Sequence, residues 1–359
     1  MLKNMKNLQN IYPANIKVTR DIFTVYELKR KYEERKTIQL DPDFQREDIW
    51  KQKQQSELIE SILMGIPLPV MYFAEDKYGN LQVIDGRQRL TALFKYLNNK
   101  FSINSAPILT YLEGKKFKDL EPREQIKLED YQLIIYIIKP QTPDRVKFDI
   151  FDRVNRGGTK LEPQEMRNAL YQGKSTRFLK ELSQQEVFKK ATGNAINSKR
   201  MKDRYYILRY IAFYLYHNKK LKDKEDKLIE YKSDINDFLG KTMEFLNSAP
   251  DTLFKELKEK FLFAMENSYN ILGKDGFRIP NKNSKKRPMN MALFESLSYL
   301  MSFSIIKKNP IKVKQKVKVL FDDKKFITSL TERIDSSISV DIRFNKMKKI
   351  LRELKNEYK

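Results

Sequence analysis

Five consecutive residues, Asp85-Gly86-Arg87-Gln88-Arg89, place a carboxylate, a glycine and two guanidiniums side by side. An apolar run at 81–84 precedes them, and an apolar pattern of helical period follows. The spacing predicts a strand that ends at Asp85 and a helix over about 87–98. The first turn of a helix offers free backbone N–H groups and the positive end of the helix dipole. A glycine there lets an anion approach the backbone. Arg87 and Arg89 add planar donor pairs that match phosphate. The stretch therefore has the chemistry of a phosphate cradle. Asp85 would orient an arginine, hold a metal ion together with a nucleotide, or position a water. The alternative is an N-cap: Asp85 would bond the first-turn N–H groups, and the arginines would be surface charges. No GxxxxGK[ST] sequence is present, so a nucleotide site here is not a P-loop.

The rest of the composition narrows the chemistry. The 359 residues contain no cysteine and one histidine, His217. Thiolate metal sites, cysteine nucleophiles and zinc sites built from several histidines are excluded. The absence of cysteine fits a reducing cytosol. No secretory leader is expected at the N-terminus and no membrane span anywhere, so the expected location is cytoplasmic. Net charge is +24 and uneven. Residues 1–170 carry 29 Lys and Arg against 24 Asp and Glu, or +5; residues 171–359 carry 42 against 23, or +19. Such a field attracts polyanions, of which nucleic acid is the commonest in a cell.

The elements that must position the turn can be read from periodicity. Residues 21–38 open as a short strand and continue as a helix. Residues 52–64 put Leu58, Ile59, Ile62 and Leu63 on one helix face, and "GIPLP" stops that helix. "VMYF" (70–73) and "LQVI" (81–84) read as strands joined through hairpin-turn residues. A helix near "EPREQIKLED", a strand "YQLIIYIIK", a helix running from Pro143 to a Gly157-Gly158 stop, and a helix at "LEPQEMRNALY" complete a mixed first part. After residue 173 every strong pattern is helical. The expected fold class is α+β, with a first domain over 1–172 and a basic helical domain over 173–359.

"DGRQRLTAL" resembles the signature of the GmrSD-type restriction endonuclease N-terminal domain family, usually written with Gln where this chain has Arg87. Three flanking elements resemble the family in the same order: "FQREDIW" with Gln45, Arg46 and Trp50; "LIESILMGIPLPVMYF" with Pro67 and Pro69; and "FDRVNRGGTKLEPQEMRNALY" with Asn155, Gly157, Gly158, Glu165, Arg167 and Asn168. The family is similar to ParB and sulfiredoxin in fold and is associated with defence against phage DNA. The resemblance implies a nucleotide site, often hydrolytic, at Asp85, Gly86, Gln88 and Arg89, with Gln45, Arg46 and Asn155 as neighbours; Arg87, the departure from the family's form, joins it as an added cation that suits phosphate. Asp85 and Arg89 would be the catalytic pair. The ligand would be an NTP of unspecified base, with Mg2+ as a possible companion. In larger family members a His-dependent nuclease domain follows. The single His217 excludes that centre here.

Three basic stretches are candidates for DNA contact. Lys199, Arg200, Lys202 and Arg204 lie in or before a helix first turn, where cations oppose the dipole. Lys285, Lys286 and Arg287 form a second run, and "KVKQKVK" (312–318) a third. Each alone reads as a solvated face; together they best account for the +19. His217, at a helix C-terminus that favours its charged form, reads as structural, and Trp50 as a packing anchor. "RYYILRYIAFYLY" reads as core. The sequence thus points to a nucleotide-binding, NTP-hydrolysing, DNA-associated protein. A non-enzymatic DNA-binding subunit served by a partner nuclease is the competing reading, and self-association rests on family analogy alone.

Overall fold

A computed structural model describes residues 16–40, 50–76, 78–154, 162–280 and 287–356. The chain divides into two compact units, 1–161 and 162–359. The fold class is α+β, as expected.

The first unit is built on a five-stranded mixed sheet in the order β1-β5-β3-β4-β2. The strands are β1 (Val18–Thr24), β2 (Ile38–Gln39), β3 (Met71–Glu75), β4 (Leu81–Asp85) and β5 (Gln132–Ile138). β1 pairs antiparallel with β5, β5 parallel with β3, β3 antiparallel with β4, and β4 parallel with β2. The β3–β4 connection works as a hairpin because Asp76 accepts from the backbone N–H of Tyr78 at 2.8 Å and of Asn80 at 2.9 Å. The two-residue β2 was not visible in the sequence pattern. Helices α1 (Val25–Glu33), α2 (Gln52–Met64), α3 (Arg87–Leu97), α4 (Pro122–Glu129) and α5 (Asp144–Val154) surround the sheet's sequence positions. Leu58, Ile59 and Ile62 of α2 join Leu90, Leu93 and Phe94 of α3 in a core that includes Met71, Phe73, Val83 and Ile135. Trp50 packs at its margin.

The second unit is helical. It comprises α6 (Pro163–Leu170), α7 (Lys174–Ser183), α8 (Glu186–Ala191), α9 (Lys202–His217), α10 (Ile235–Ser248), α11 (Asp251–Leu272), α12 (Met291–Met301), α13 (Ile305–Lys308), α14 (Pro310–Leu320), α15 (Lys324–Thr331) and α16 (Ser337–Asn356). The aromatic stripe of α9 is core: Tyr206, Tyr210, Phe213 and Tyr214 are buried. The boundary expected after residue 172 differs from the division at 161/162. α6 packs on α9, and its Met166 and Arg167 are buried within the second unit.

This core holds charges. Glu295 of α12 accepts from Arg209 Nε at 2.5 Å and from both Nε (3.1 Å) and Nη2 of Arg343. Arg209 also reaches Asp335 at 2.7 Å, and Arg343 Nη1 donates to the carbonyls of Ile334 (2.7 Å) and Ser329 (3.3 Å). Burial opposes the charge on Arg209, but Glu295, Tyr205 and Asp335 outweigh it and hold its pKa well above the ordinary value. Arg167 is equally buried, and burial pushes it down to about 10. It lies over the Tyr205 ring at 5.4 Å, and its Nη2 donates to Asn236.

His217 packs between aromatic rings, with Phe344 at 4.1 Å between centroids, which agrees with a structural role. Its charged form is not favoured, contrary to the expectation from the helix C-terminus. Burial first, and then Lys348 and Arg343, lower its pKa to about 3. Nδ1 lies 3.1 Å from Lys348 Nζ, while the buried Nε2 has no hydrogen-bond partner among the described residues.

Candidate functional site

The strand-to-helix turn forms where the sequence places it. β4 ends at Asp85, and Gly86, which has no side chain to cap with, is the N-cap of α3. Gly86 sits at φ +100°, a left-handed conformation that L side chains rarely adopt. A Cβ there would stand 2.6 Å from Cγ and Sδ of Met71. The glycine is thus required twice, by its backbone angle and by the close approach of β3. α3 itself follows from Leu90, Leu93, Phe94 and Leu97, whose spacing buries one face.

Asp85 is not the N-cap. Its Oδ2 accepts from Arg89 Nη2 at 2.8 Å, one helical turn away. The pair is half-buried: the side chains are 34 % (Asp85) and 11 % (Arg89) exposed. Arg89 also donates from Nη1 to the carbonyl of Pro69 and from Nη2 to that of Val70 at 3.3 Å. Burial lowers the Arg89 pKa below its ordinary value, with Asp85 pulling the other way. Arg89 therefore ties the turn to the segment that leads into β3. Tyr131 holds the same segment from further back, accepting from Leu68 N at 3.0 Å and donating to Ile66 O at 2.9 Å. Sequence reasoning missed these carbonyl acceptors. The prolines of "GIPLPV" were the available signal, since a rigid, non-helical segment presents its carbonyls to neighbours.

This geometry separates the roles of the stretch. Asp85 and Arg89 hold the turn's shape. Arg87 and Gln88 stand half-exposed in the first turn of α3, beside its backbone N–H groups. An anion at this turn would meet Arg87, Gln88 and those N–H groups first. Gln45, Arg46 and Asn155, expected as neighbours, lie outside the described residues, as do Gly157 and Gly158. Among the described residues no group of three or more His, Cys, Asp or Glu is placed to hold a metal ion.

The expected DNA-contact residues are distributed unevenly. Lys199 and Lys202 are exposed. Arg200 is exposed and pairs with Glu162 at 3.3 Å. Arg204 is only 9 % exposed, with Nη1 3.8 Å from the sulfur of Met201, so its side chain belongs to the core more than to the surface. Arg287 is exposed; Lys285 and Lys286 lie outside the described residues. A cleft of about 570 Å3 lies within the second unit between the 222–232 segment and α10. Its charges pair among themselves, Lys224 with Glu244 at 3.3 Å and Lys227 with Glu225 at 2.6 Å.

The first unit thus presents a glycine-opened, arginine-bearing strand-to-helix turn on a mixed sheet. Residues 25–172 match the model of the family described as GmrSD restriction endonuclease, N-terminal domain, and this segment is similar to that domain. The match spans the turn and ends inside the second unit, leaving residues 173–359 beyond it. No curated relative matches the chain. Among the described residues no helix is long and apolar enough to cross a membrane.

Proposed function

We propose that this chain is a nucleotide-binding, DNA-associated component of a restriction-type defence system against phage. The observation that carries the nucleotide reading is the strand-to-helix turn itself, opened by Gly86 at the start of α3 and flanked by the half-exposed Arg87 and Gln88. The first-turn N–H groups and Arg87 would bind the phosphates of a nucleoside triphosphate. Arg89 would act as a positioning residue through the Pro69 and Val70 carbonyls. Asp85 is the carboxylate of the turn, and hydrolysis would use it to order a water or a Mg2+ ion carried in by the phosphates. The excess positive charge of residues 171–359 supports DNA association.

A second reading, a non-enzymatic subunit served by a partner nuclease, is favoured by one feature. Asp85 is already ion-paired with Arg89, so its carboxylate is engaged before any water or metal ion arrives. The deciding experiment is phosphate release from each of the four NTPs with Mg2+, with and without plain and modified DNA. Arg87→Ala, Asp85→Ala and Arg89→Ala proteins run beside the parent. Turnover that Arg87→Ala weakens and Asp85→Ala abolishes supports the hydrolytic reading. NTP binding without turnover in folded parent protein leaves the subunit reading, and absence of both removes the nucleotide reading.

A further inference from the structure

α14 is built against its own electrostatics. From Lys307 to Phe321 the chain has six lysines and no Asp or Glu. Val313, Val317 and Leu320 bury one side of α14, and Lys312, Lys314 and Lys318 are exposed. Lys314 and Lys318 stand one turn apart, as do Lys312 and Lys316, and like charges at that spacing destabilise a helix. Lys312 lies in the first turn, at the positive end of the dipole. Lys312 has an interaction of its own, and the neighbouring α16 engages others of these charges. Glu353 is shared between Lys316 at 2.6 Å and Lys349 at 3.9 Å, and Asp323 is engaged by Lys346. Lys314 and Lys318 make no ion pair among the described residues. A helix whose charges repel one another and oppose its dipole is relieved by an external polyanion.

We propose that the α14 and α16 face of the second unit docks the phosphate backbone of double-stranded nucleic acid. This rests on the DNA association proposed above and goes beyond it by assigning the surface. It also moves the main contact away from the 199–204 segment, where Arg204 is buried and Arg200 is paired. A lipid surface is disfavoured because Val313, Val317 and Leu320 of α14 are already in the core and the outward side is mainly lysine. A protein partner is disfavoured because lysine is depleted at protein interfaces. Ile311 and Val319, 73 % and 64 % exposed, lie on the same outward face and have no part in backbone contact.

The test is fluorescence anisotropy of the full chain with a labelled mixed-sequence duplex of about 20 base pairs, between about 50 and 200 mM salt. Lys314→Gln/Lys318→Gln is expected to weaken binding about tenfold or more at the lower salt and to reduce the salt slope by about 2, one per lost phosphate contact. Its melting temperature should equal or exceed the parent's, because a repulsive pair is removed. Lys224→Gln/Lys227→Gln makes the same change of net charge elsewhere and should alter binding less than about threefold. Ile311→Ser/Val319→Ser should bind duplex as the parent does. If the parent does not bind duplex, the DNA reading and this surface both fall. If it binds and the Lys314/Lys318 variant matches the Lys224/Lys227 control, the surface is wrong while DNA association stands. Loss in the Ile311/Val319 variant, or binding to anionic phospholipid vesicles in preference to duplex, overturns the proposal in favour of another partner.

Discussion

Each unit contains an arginine held by a carboxylate, and the two arrangements do different work. In the second unit Glu295 is fully buried between Arg209 and Arg343, which are themselves buried. In the first unit Asp85 and Arg89 are half-buried at the mouth of a turn. The buried cluster is specified by desolvation. Any partner left alone there is an uncompensated charge in a low-dielectric interior. The turn pair is specified by geometry: Arg89 spans two carbonyls and a carboxylate, and the first turn of α3 beside it stays accessible. Charge chemistry at the turn can therefore change during function, whereas in the core it is fixed.

The strongest way to break this contrast is Glu295→Ala. Two arginines would lose their shared acceptor inside the core, and the expected cost is about 3–5 kcal/mol. Denaturant unfolding should show it as a lower midpoint at unchanged slope. A loss below about 1 kcal/mol would mean that water reaches the cluster and that it is not a buried network. Arg89→Ala comes next. It strands the Pro69 and Val70 carbonyls in a partly buried site, for an expected loss of about 1–3 kcal/mol. Arg89→Lys should recover little, because one ammonium cannot reproduce the planar reach to three acceptors.

The contrast extends to pH. His217 is held neutral in the fold, with a pKa of about 3 caused by burial and by Lys348. Its unfolded value is near about 6.5. The unfolded chain therefore binds a proton between these values while the folded chain does not. Stability is full above the unfolded pKa and is lost as pH falls through the window from about 6.5 toward 3. Between pH 7 and pH 5 the expected loss is about 2 kcal/mol. In His217→Phe this share of the acid sensitivity should vanish. Unfolding curves at both pH values check it, and equal slopes in parent and variant would show that His217 titrates freely in the fold.

Which of these features were legible beforehand follows from the range of the interaction. The turn at 85–89 was readable because the change of apolar period, from strand to helix, and the glycine at the change are local signals. α2, α3 and the helices of the second half were readable for the same reason. β2 has two residues and cannot show an alternation. Arg89 finds the Pro69 carbonyl across 20 residues, and the only mark of that acceptor in the sequence is the proline-stiffened segment that carries it. Arg209 and Glu295 meet across 86 residues. Arg209 sits inside "RYYILRYIAFYLY", a stripe read as core, and nothing local in that stripe names Glu295 as its partner. The helix-terminus reading of His217 was right about position and wrong about charge, because a dipole acts locally while burial is decided by Phe344 and Lys348 from another helix.

The smallest expected effect on stability is the most informative about function. Asp85→Asn keeps the shape of the side chain and an acceptor oxygen for Arg89 while removing the negative charge. The pair is partly solvated, so the stability loss should stay within about 1 kcal/mol, several-fold less than for Glu295. The charge change acts instead on whatever binds at α3. Without Asp85's charge the turn becomes more positive, and a bare polyphosphate should bind at least as tightly as to the parent, by calorimetry without metal. Turnover of NTP with Mg2+ should fall sharply, because no carboxylate remains in the turn to order metal or water. Tighter phosphate binding with lost turnover would separate Asp85's role from that of Arg89, whose removal should weaken both through the shape of the turn. If both functions survive Asp85→Asn, the pair of Asp85 and Arg89 resembles the one at Glu295 after all, a structural contact that happens to lie near the surface.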